Sequence, residues 1–217
     1  MRHLPGRPPH EGARLLDVGC GNGAFLQLAK AAGWDAQGVD FDPLALAAAR
    51  ARNLNVHEGG LEQFASHPEK FDWITCSHVI EHVHDPIRWL KDMHALLVPG
   101  GSLWLQTPNI DSIGHEKFGP DWRDLDPPRH LVLFNAKVLG ELLKSLNFEV
   151  KMKNLPAMSA MSVYATSDAL RANVPSIDID EPGGMFKLRN VAPALRQAWL
   201  PNRSEFLTVI ATKAIPA

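Results

Sequence analysis

Three glycines alternate after a short apolar run in the segment LLDVGCGNGAFL, which extends from Leu15 to Leu26. Glycine is needed where a backbone takes a positive φ or approaches a ligand closely. A strand that ends in such a turn and opens a helix can bring a nucleotide against the backbone. Asp40 follows Gly19 by 21 residues, a distance at which an acid ending a second strand can bind ribose hydroxyls. The segment therefore predicts a ligand that contains a nucleoside.

Two kinds of nucleoside ligand are compatible with this turn. Gly19, Gly21 and Ala24 fit the G-x-G-x-x-(G/A) fingerprint of dinucleotide binders, which keeps an NAD-dependent oxidoreductase as an alternative. However, the glycines alternate as far as Gly23, which suits a ligand lying along the turn. Asp17 stands where a dinucleotide fold normally has an apolar residue, and its carboxylate could receive a ligand ammonium group. These features favour a ligand that carries positive charge.

A second group of chemically active residues is the segment HVIEH, from His78 to His82. It matches the H-x-x-E-H pattern of one class of zinc peptidases, which needs a long helix to hold zinc. Here Pro86 begins a new helix four residues later, which argues against a peptidase. Positions 78, 81 and 82 would face the same way in one turn, and PPRHLVLF adds His130. His82, His130 and His78 are predicted as candidate bases for a reaction in which an acceptor loses a proton, with a structural role as the alternative.

The elements that must position these residues alternate along the chain. Short apolar runs predict five strands, RLLDV, DAQGVD, LNVHEG, FDWITCS and SLWLQTP, with helix-period stretches between them. This alternation predicts a parallel sheet covered by helices on both faces. Further along, NAKVLGELLKSLN predicts a helix, FEVKMKNL a strand, and EFLTVIATK a final apolar run. The fold class is therefore α/β.

Two long irregular stretches interrupt this rhythm, at 107–134 and 157–203. The first carries Phe118, Trp122, Arg123 and Arg129, which suit a planar or sugar-like acceptor and are compatible with an anionic one. The alternative is that the aromatic residues anchor the loop. The second stretch is predicted to be an inserted helical lid or packing element. Residues 1–13 would then form an N-terminal extension, and 14–156 with 204–217 the cofactor-binding domain.

Composition narrows the class of protein. The chain has 217 residues, which favours one domain, and its net charge of −2 without a long basic run disfavours a nucleic-acid partner. The sequence has no apolar run near the ~18 residues of a membrane span and begins without a signal-peptide core, so no membrane association is expected. Two cysteines are too few for a disulfide framework. We expect a cytoplasmic protein of undetermined oligomeric state.

Four segments, LLDVGCGNG, GVDFDP, FDWITCSHVIEHVHDP and LLVPGGSLWLQTPN, resemble successive motifs of class I S-adenosylmethionine-dependent methyltransferases. The resemblance is closest to the group that includes the ubiquinone-biosynthesis O-methyltransferases, and it extends from about Arg14 to Leu155. It implies a Rossmann-like sheet of seven mostly parallel strands whose last strand, EFLTVIATK, is antiparallel. It also implies methyl transfer from S-adenosyl-L-methionine to an oxygen or nitrogen of a small-molecule acceptor. A catalytically weak cofactor-binding or scaffold protein of the same fold is the alternative outside enzymes.

The resemblance assigns residues to the cofactor. It implies that Asp17 meets the methionine part, that Asp40 binds the ribose diol and that Phe41 lies against adenine. Gly60 stands where many relatives have an acid, so adenine would pack on Leu61 instead. The complete set implied to bind the cofactor is Asp17, Gly19, Cys20, Gly21, Asn22, Gly23, Asp40, Phe41, Asp42, Leu61, Ser77 and His78.

Glu81, His82 and His130 also resemble the metal ligands of small-RNA 2′-O-methyltransferases and of some quinone O-methyltransferases. Those relatives carry an acid where this chain has His78, which weakens the match for a hard cation and makes a softer ion more plausible. Methyl transfer does not require the ion, because the reaction mainly needs an acceptor atom positioned in line with the carbon–sulfur bond of the sulfonium donor. A divalent metal is therefore not favoured, and these three residues are only weak candidate ligands.

Overall fold

A computed structural model describes residues 5–64, 70–153, 158–173, 188–196 and 199–215. Within them the sheet contains β1 (Arg14–Val18), β2 (Asp35–Asp40), β3 (Asn55–Glu58), β4 (Phe71–Ser77), β5 (Leu97–Pro108), β6 (Phe148–Lys153) and β7 (Phe206–Lys213). The spatial order of these strands is β3-β2-β1-β4-β5-β7-β6. β7 lies antiparallel between β5 and β6, and the pairs among β1 to β5 are parallel. The predicted seven-stranded, mostly parallel sheet with an antiparallel last strand is confirmed.

Helices occupy the connections between these strands. They are α1 (Ala24–Ala31), α2 (Pro43–Arg50), α3 (Pro86–Leu96), α4 (Ile113–Phe118), α5 (Ala136–Ser145), α6 (Met158–Arg171) and α7 (Leu188–Arg196). Asp42 and Asp85 cap α2 and α3, because each carboxylate accepts N–H groups of the first turn, and proline follows each cap. β5 begins earlier than the predicted strand SLWLQTP. Leu97 pairs with Phe71 and so begins β5 five residues before Ser102.

The apolar core lies on both faces of the sheet. Successive residues of a strand point to opposite faces, so Leu15 and Leu16 of β1 enter two different clusters. Leu15 packs with residues of α1 and α2, including Leu26 and Leu46. Leu16 belongs to the cluster that contains Leu90 of α3. The sheet is therefore packed on both faces. The carboxyl-terminal edge of its parallel strands carries Asp17, Asp40 and His78.

The two irregular stretches contain more regular structure than the sequence pattern shows. The first includes α4 and two short 3-10 turns, Gly119–Asp121 and Arg123–Leu125, while α6 and α7 lie in the second. A third apolar cluster joins Phe118 and Trp122 of the first stretch to Tyr164 of α6 and Phe206 of β7. The aromatic residues therefore anchor the loop. Residues 174–187 lie outside the described residues, and the division into domains stays a prediction.

None of the described helices has the length and apolar character that crossing a membrane requires.

The contact between α1 and β2 yields a stability prediction. A Cβ added to Gly38 would lie 2.6 Å from Leu26 Cδ1 and 2.7 Å from Cys20 Cβ, so Gly38→Ala must displace packed atoms. We expect it to lower the free energy of unfolding by about 1–3 kcal/mol. In the matched control Gly140→Ala, the added Cβ would meet only Met152 Cε at an ordinary 3.5 Å. Urea unfolding checks the pair, and equal destabilisation by both variants would contradict the packing argument.

Candidate functional site

The glycine turn after β1 leaves space for a ligand above one of its residues. Gly19 has φ 77° and Gly21 has φ 51°, both in the left-handed region. A Cβ on Gly19 would lie 2.4 Å from Val79 Cγ2, whereas one on Gly21 would meet nothing within 4 Å. Gly19 is therefore required by close packing against the segment after β4. Gly21 faces the open side of the turn, where a ligand can approach the backbone.

The amide groups of this turn donate within the chain. Gly19 N and Cys20 N lie 2.8 Å and 3.1 Å from Val39 O, and Gly21 N lies 2.8 Å from Asp40 Oδ2. A pyrophosphate bound at such a turn needs amide groups that are directed at the ligand. The hydrogen bonds of the turn therefore argue against a dinucleotide and favour a ligand that is bound by side chains.

Asp17 is a buried carboxylate at the end of β1. The Thr75 hydroxyl donates to its Oδ1 at 2.6 Å. Burial raises the pKa of Asp17 to about 7, against the lowering effect of Thr75 and with a further rise from the nearby Asp40. A positive group beside Asp17 would favour its ionised form. The sequence did not reveal Thr75, because its position beside Asp17 follows from the register between β1 and β4.

Asp40 ends β2 at the same edge of the sheet, and Phe41 follows it directly. Asp40 Oδ2 accepts from Gly21 N and Oδ1 accepts from Asp42 N at 2.9 Å, which fixes the carboxylate over the turn. The Phe41 side chain is 74% exposed and, with Leu61, lines a cavity of about 370 Å³. An exposed aromatic ring beside a buried leucine provides the two apolar surfaces that a purine can contact.

Glu62 is a residue of this cavity that the sequence analysis missed. Its Oε1 accepts from Gly60 N at 2.7 Å, and the side chain lines the same cavity as Phe41. A carboxylate therefore does lie beside the expected adenine position, although Gly60 itself has no side chain. The segment EGGLEQF contains this acid, but only the short 3-10 helix Leu61–Phe64 turns it back over Gly60.

Several residues predicted to bind the cofactor have side chains that act within the chain. Asn22 and Asp42 accept backbone N–H groups at the starts of α1 and α2. The Cys20 side chain is buried against β2, and Gly23 packs against α2. Ser77 ends β4 and is half-buried. These residues shape the turn, and any contact of their own with a ligand stays a prediction.

His78 follows β4 in a backbone conformation that side chains rarely adopt, with φ 55°. Its N–H donates to Gln106 O at 2.9 Å, and its ring lies edge-on to Phe206 with the centroids 4.9 Å apart. The ring atom Nδ1 lies 3.3 Å from Oε1 of Glu81. Strain of this kind persists only where surrounding contacts fix the residue, and it concentrates at functional sites.

Glu81 connects this turn to two other parts of the chain. Its carboxylate is buried, and Oε2 accepts from the Thr107 hydroxyl at 2.9 Å. Its backbone carbonyl accepts from Leu131 N at 2.7 Å and so holds the segment that carries His130. Burial acts to raise the pKa of Glu81, but the nearby His78 ring and hydrogen bonds to the carboxylate outweigh it and lower the pKa. The side chain is therefore held as a carboxylate.

His82 and His130 lie side by side, with ring centroids 4.8 Å apart. Nδ1 of His82 lies 2.9 Å from Arg129 O, and Nδ1 of His130 lies 2.7 Å from Asp124 O. A carbonyl can only accept, so Nδ1 carries the hydrogen in both rings, and Nε2 keeps a lone pair in the neutral form. Both histidines can therefore accept a proton or bind a metal ion at Nε2.

The ligand atoms of Glu81, His82 and His130 lie within 4.8 Å of one another. Two imidazole nitrogens and one carboxylate oxygen fit a borderline ion such as zinc better than magnesium. His78, which the sequence placed on the same face, is not part of this group in the described chain. The peptidase alternative also lacks its helix, because residues Ile80–His82 form only a 3-10 turn.

A second cavity, of about 540 Å³, lies beside the histidines. The residues that line it come from the turn after β4, the loop after β5 and helix α6: His78, Glu81, His82, Arg123, Asp124, Asp126, Arg129, His130, Thr166 and Leu170. His78, His82 and His130, the three predicted catalytic residues, thus face one space. Their roles there stay predictions.

The loop arginines are already occupied by neighbouring carboxylates. Arg123 Nε donates to Asp124 Oδ1 at 2.6 Å, and Arg129 Nε donates to Asp126 Oδ2 at 2.8 Å. The aromatic residue between α4 and these arginines, Trp122, is buried in the third apolar cluster. The groups that suggested a planar or anionic acceptor therefore serve the loop itself.

Glu205 anchors this loop from the strand side. It is buried immediately before β7 and accepts from Gly114 N at 2.8 Å and from Trp122 Nε1 at 2.9 Å. Burial raises the pKa of Glu205 to about 7, although both donors lower it. No local sequence pattern identifies Glu205, because 83 positions separate it from Trp122. Its neighbour Phe206 contacts His78, so one short segment supports both the loop and the turn after β4.

Comparisons with known proteins agree with this arrangement. Residues 3–152, more than half of the chain, match a family described as a methyltransferase domain. The chain is 35% identical over 105 residues to the ubiquinone biosynthesis O-methyltransferase of Aromatoleum aromaticum, a match that covers 45% of each protein. It is 37% identical over 109 residues to the same enzyme of Actinobacillus pleuropneumoniae, covering 45% of this chain and 47% of the relative. The aligned region thus spans less than half the length of these curated relatives.

Solved structures share the whole fold at low sequence identity. A SAM dependent methyltransferase from Archaeoglobus fulgidus superposes with a TM-score of 0.60 and 22% identity, covering 93% of this chain and 86% of that one. An S-adenosylmethionine dependent methyltransferase from Mesorhizobium loti superposes with a TM-score of 0.62 and 19% identity, covering 98% and 94%. The resemblance seen in the sequence motifs is confirmed. On the family match and the fold together, the chain belongs to the methyltransferase domain family, with the architecture of the class I S-adenosylmethionine-dependent enzymes.

Proposed function

We propose that the chain transfers a methyl group from S-adenosyl-L-methionine to an oxygen or nitrogen of a small-molecule acceptor. The observation that carries the proposal is the pair of carboxylates, Asp17 and Asp40, on either side of a glycine turn whose amide groups are occupied. A ligand with an ammonium group, a sulfonium and a ribose diol complements two carboxylates. A pyrophosphate would meet the same carboxylates with like charge, which also disfavours an NAD-dependent oxidoreductase.

In this proposal each part of the cofactor meets a different element. Asp17 at the end of β1 receives the ammonium group, and Asp40 at the end of β2 accepts the ribose hydroxyls. Adenine lies between Phe41 and Leu61, where the Glu62 carboxylate can accept from its amino group. The sulfonium then points towards the turn that carries His78, beside the acceptor cavity.

The reaction needs an acceptor in line with the sulfonium and a base for its proton. The acceptor lone pair forms the new bond to the methyl carbon, the carbon–sulfur bond breaks, and its electron pair stays on sulfur. The acceptor proton passes to Nε2 of His82 or His130, whose lone pairs face the cavity because both Nδ1 atoms donate to carbonyls.

Binding a divalent cation is a second role that is compatible with the residues around the histidine pair. Glu81, His82 and His130 would hold the ion, which would polarise an acceptor hydroxyl and favour loss of its proton. A histidine that acts as the base needs no bound ion, so the base role is the primary proposal. The effect of a chelator on the reaction rate distinguishes the base role from the metal role.

Cofactor binding tests the proposal directly. Titration calorimetry with S-adenosylmethionine and S-adenosylhomocysteine should show binding to the wild type and at least about tenfold weaker binding to Asp40→Ala, because charge-assisted hydrogen bonds are lost. Asp35→Ala is the matched control, since Asp35 is exposed at the opposite end of β2. No binding by the wild type, or equal binding by wild type and Asp40→Ala, would contradict the assignment and favour the scaffold alternative. An NADH fluorescence titration tests the oxidoreductase alternative.

The raised pKa of Asp17 predicts how binding depends on pH. In the ligand-free protein this carboxylate takes up a proton below about pH 7 and then cannot pair with an ammonium group. Binding must release that proton, so the affinity for S-adenosylhomocysteine should fall below pH 7, approaching about tenfold per pH unit. Above pH 7 it should be nearly constant. Calorimetry at pH 5.5–8 on wild type and Asp17→Asn checks this, and the same pH slope in both proteins would remove Asp17 from the explanation.

The histidine pair predicts a separate loss of turnover. His130→Ala should lower the rate of labelled methyl transfer into an acceptor extract by about a hundredfold while leaving S-adenosylhomocysteine affinity unchanged. His84→Ala is the matched control, because His84 is exposed and does not line the cavity. After dialysis against a chelator, an unchanged rate supports the base role. A rate that is lost and then restored by added zinc or manganese assigns the residues to a metal instead.

A further inference from the structure

The acceptor cavity contains groups that restrict the chemistry of the molecule that enters it. This inference rests on the proposed function, because it names the class of acceptor for that methyl transfer. The cavity is lined by side chains from the turn after β4, the loop after β5 and helix α6. The polar atoms of the cavity that have no hydrogen-bond partner within the described residues are the ones available to a bound molecule.

The positive charges of the cavity are paired within their own loop. Arg123 donates to Asp124, and Arg129 donates to Asp126. Each carboxylate lies within three residues of its arginine in the sequence, so both ion pairs form within the loop itself. An anionic acceptor would have to compete with both carboxylates for these guanidinium groups.

Two buried carboxylate oxygens of the cavity-lining residues have no hydrogen-bond partner within the described residues. One is Oε1 of Glu81, which lies 3.3 Å from Nδ1 of His78, and the other is Oδ2 of Asp124. Asp124 is only 4% exposed, and its Oδ1 accepts from Arg123. Burial raises the pKa of Asp124, although Arg123 opposes the shift. A buried carboxylate oxygen without a donor is unfavourable, and a donor on a bound molecule would satisfy it.

Other cavity atoms also offer lone pairs rather than hydrogens. Nε2 of His82 and of His130 is left as an acceptor in the neutral rings, as shown above. The Thr166 hydroxyl donates its hydrogen to Ser162 O at 3.0 Å, so its oxygen faces the cavity as an acceptor. Leu170 contributes one apolar side chain to the lining.

We infer that the acceptor is a hydrophilic molecule that donates hydrogen bonds from hydroxyl or ammonium groups, such as a polyol or an amino sugar, and carries no carboxylate or phosphate. Asp124 is the specificity-determining residue, because its Oδ2 receives one of these donor groups. A carboxylate or phosphate would place its charge against Asp124, Asp126 and Glu81, whose neighbouring cations are already paired.

Three related sugars test this inference without knowledge of the natural acceptor. Glucosamine, glucose and glucuronate share a ring and hydroxyl groups, and they differ in carrying a positive charge, no charge or a negative charge. Saturation-transfer NMR with the full chain and saturating S-adenosylhomocysteine should show about tenfold stronger binding of glucosamine than of glucuronate. In Asp124→Asn this preference should shrink to about twofold or less. Asp121→Asn, on the same loop but paired with Arg171 outside the cavity, should keep the preference.

Several outcomes would overturn the inference. Glucuronate binding as tightly as glucosamine would do so, as would a preference that survives in Asp124→Asn or the absence of binding by all three sugars. Glucuronate binding that disappears after chelation would replace it with an anionic acceptor held by a metal ion. Calorimetry with S-adenosylhomocysteine on the same samples separates the two proposals, because failure of the acceptor inference leaves that titration unchanged.

A transfer assay applies the same logic to natural molecules. A small-molecule extract of the source cells is separated into cationic, neutral, anionic and lipid-soluble fractions, and each is incubated with the chain and labelled S-adenosylmethionine. Label should enter the cationic or neutral water-soluble fraction. Label confined to the anionic or lipid-soluble fraction contradicts the inference, and label in none of them contradicts the proposed methyl transfer itself.

Discussion

Buried carboxylates at the carboxyl edge of the sheet are the constraint on which the site depends. Asp17 lies in β1, Glu81 in the turn after β4, Asp124 in the loop after β5 and Glu205 directly before β7, and all four are buried. Removing a carboxylate from water is unfavourable unless hydrogen bonds or cations compensate for the lost hydration. The four carboxylates differ in the hydrogen bonds and cations that offset their lost hydration. This difference distinguishes carboxylates that hold the loops in place from those proposed to bind ligands.

Glu205 and Glu81 both act as structural anchors, although Oε1 of Glu81 has no hydrogen-bond partner among the described residues. Glu205 accepts from Gly114 and Trp122 and thereby joins the loop after β5 to the strand beside it. Glu81 accepts from Thr107, while its carbonyl holds the segment that leads to His130. A loop of this length can carry a precise site only because such internal bonds fix its path.

Asp17 and Asp124 are the carboxylates that the proposals assign to ligands, and Asp124 lines the cavity beside the histidines. Burial raises the pKa of Asp17, which accepts from the Thr75 hydroxyl and has no cation beside it in the described chain. Asp124 has one arginine on one oxygen and nothing on the other among the described residues. The family match ends at residue 152, so Asp17, Asp40 and the three histidines lie inside it, whereas Thr166, Leu170 and Glu205 lie beyond it. The cavity beside the histidines is therefore lined partly by residues outside the family match.

The sequence by itself determined the features that depend on near neighbours. Strand runs, aspartate caps followed by proline, and the glycine turn with Asp17 and Asp40 are all local patterns, and the sheet confirms them. The resemblance to the metal site of related methyltransferases also grouped His130 with His82, and the two rings lie side by side. Only the tertiary structure decided the partners that lie far apart in the chain. Thr75 beside Asp17, Glu62 turned over Gly60, and Trp122 bound to Glu205 depend on strand register and on the path of loops. Local periodicity carries no information about those paths, since they are set by which buried polar groups can satisfy one another once the core has packed.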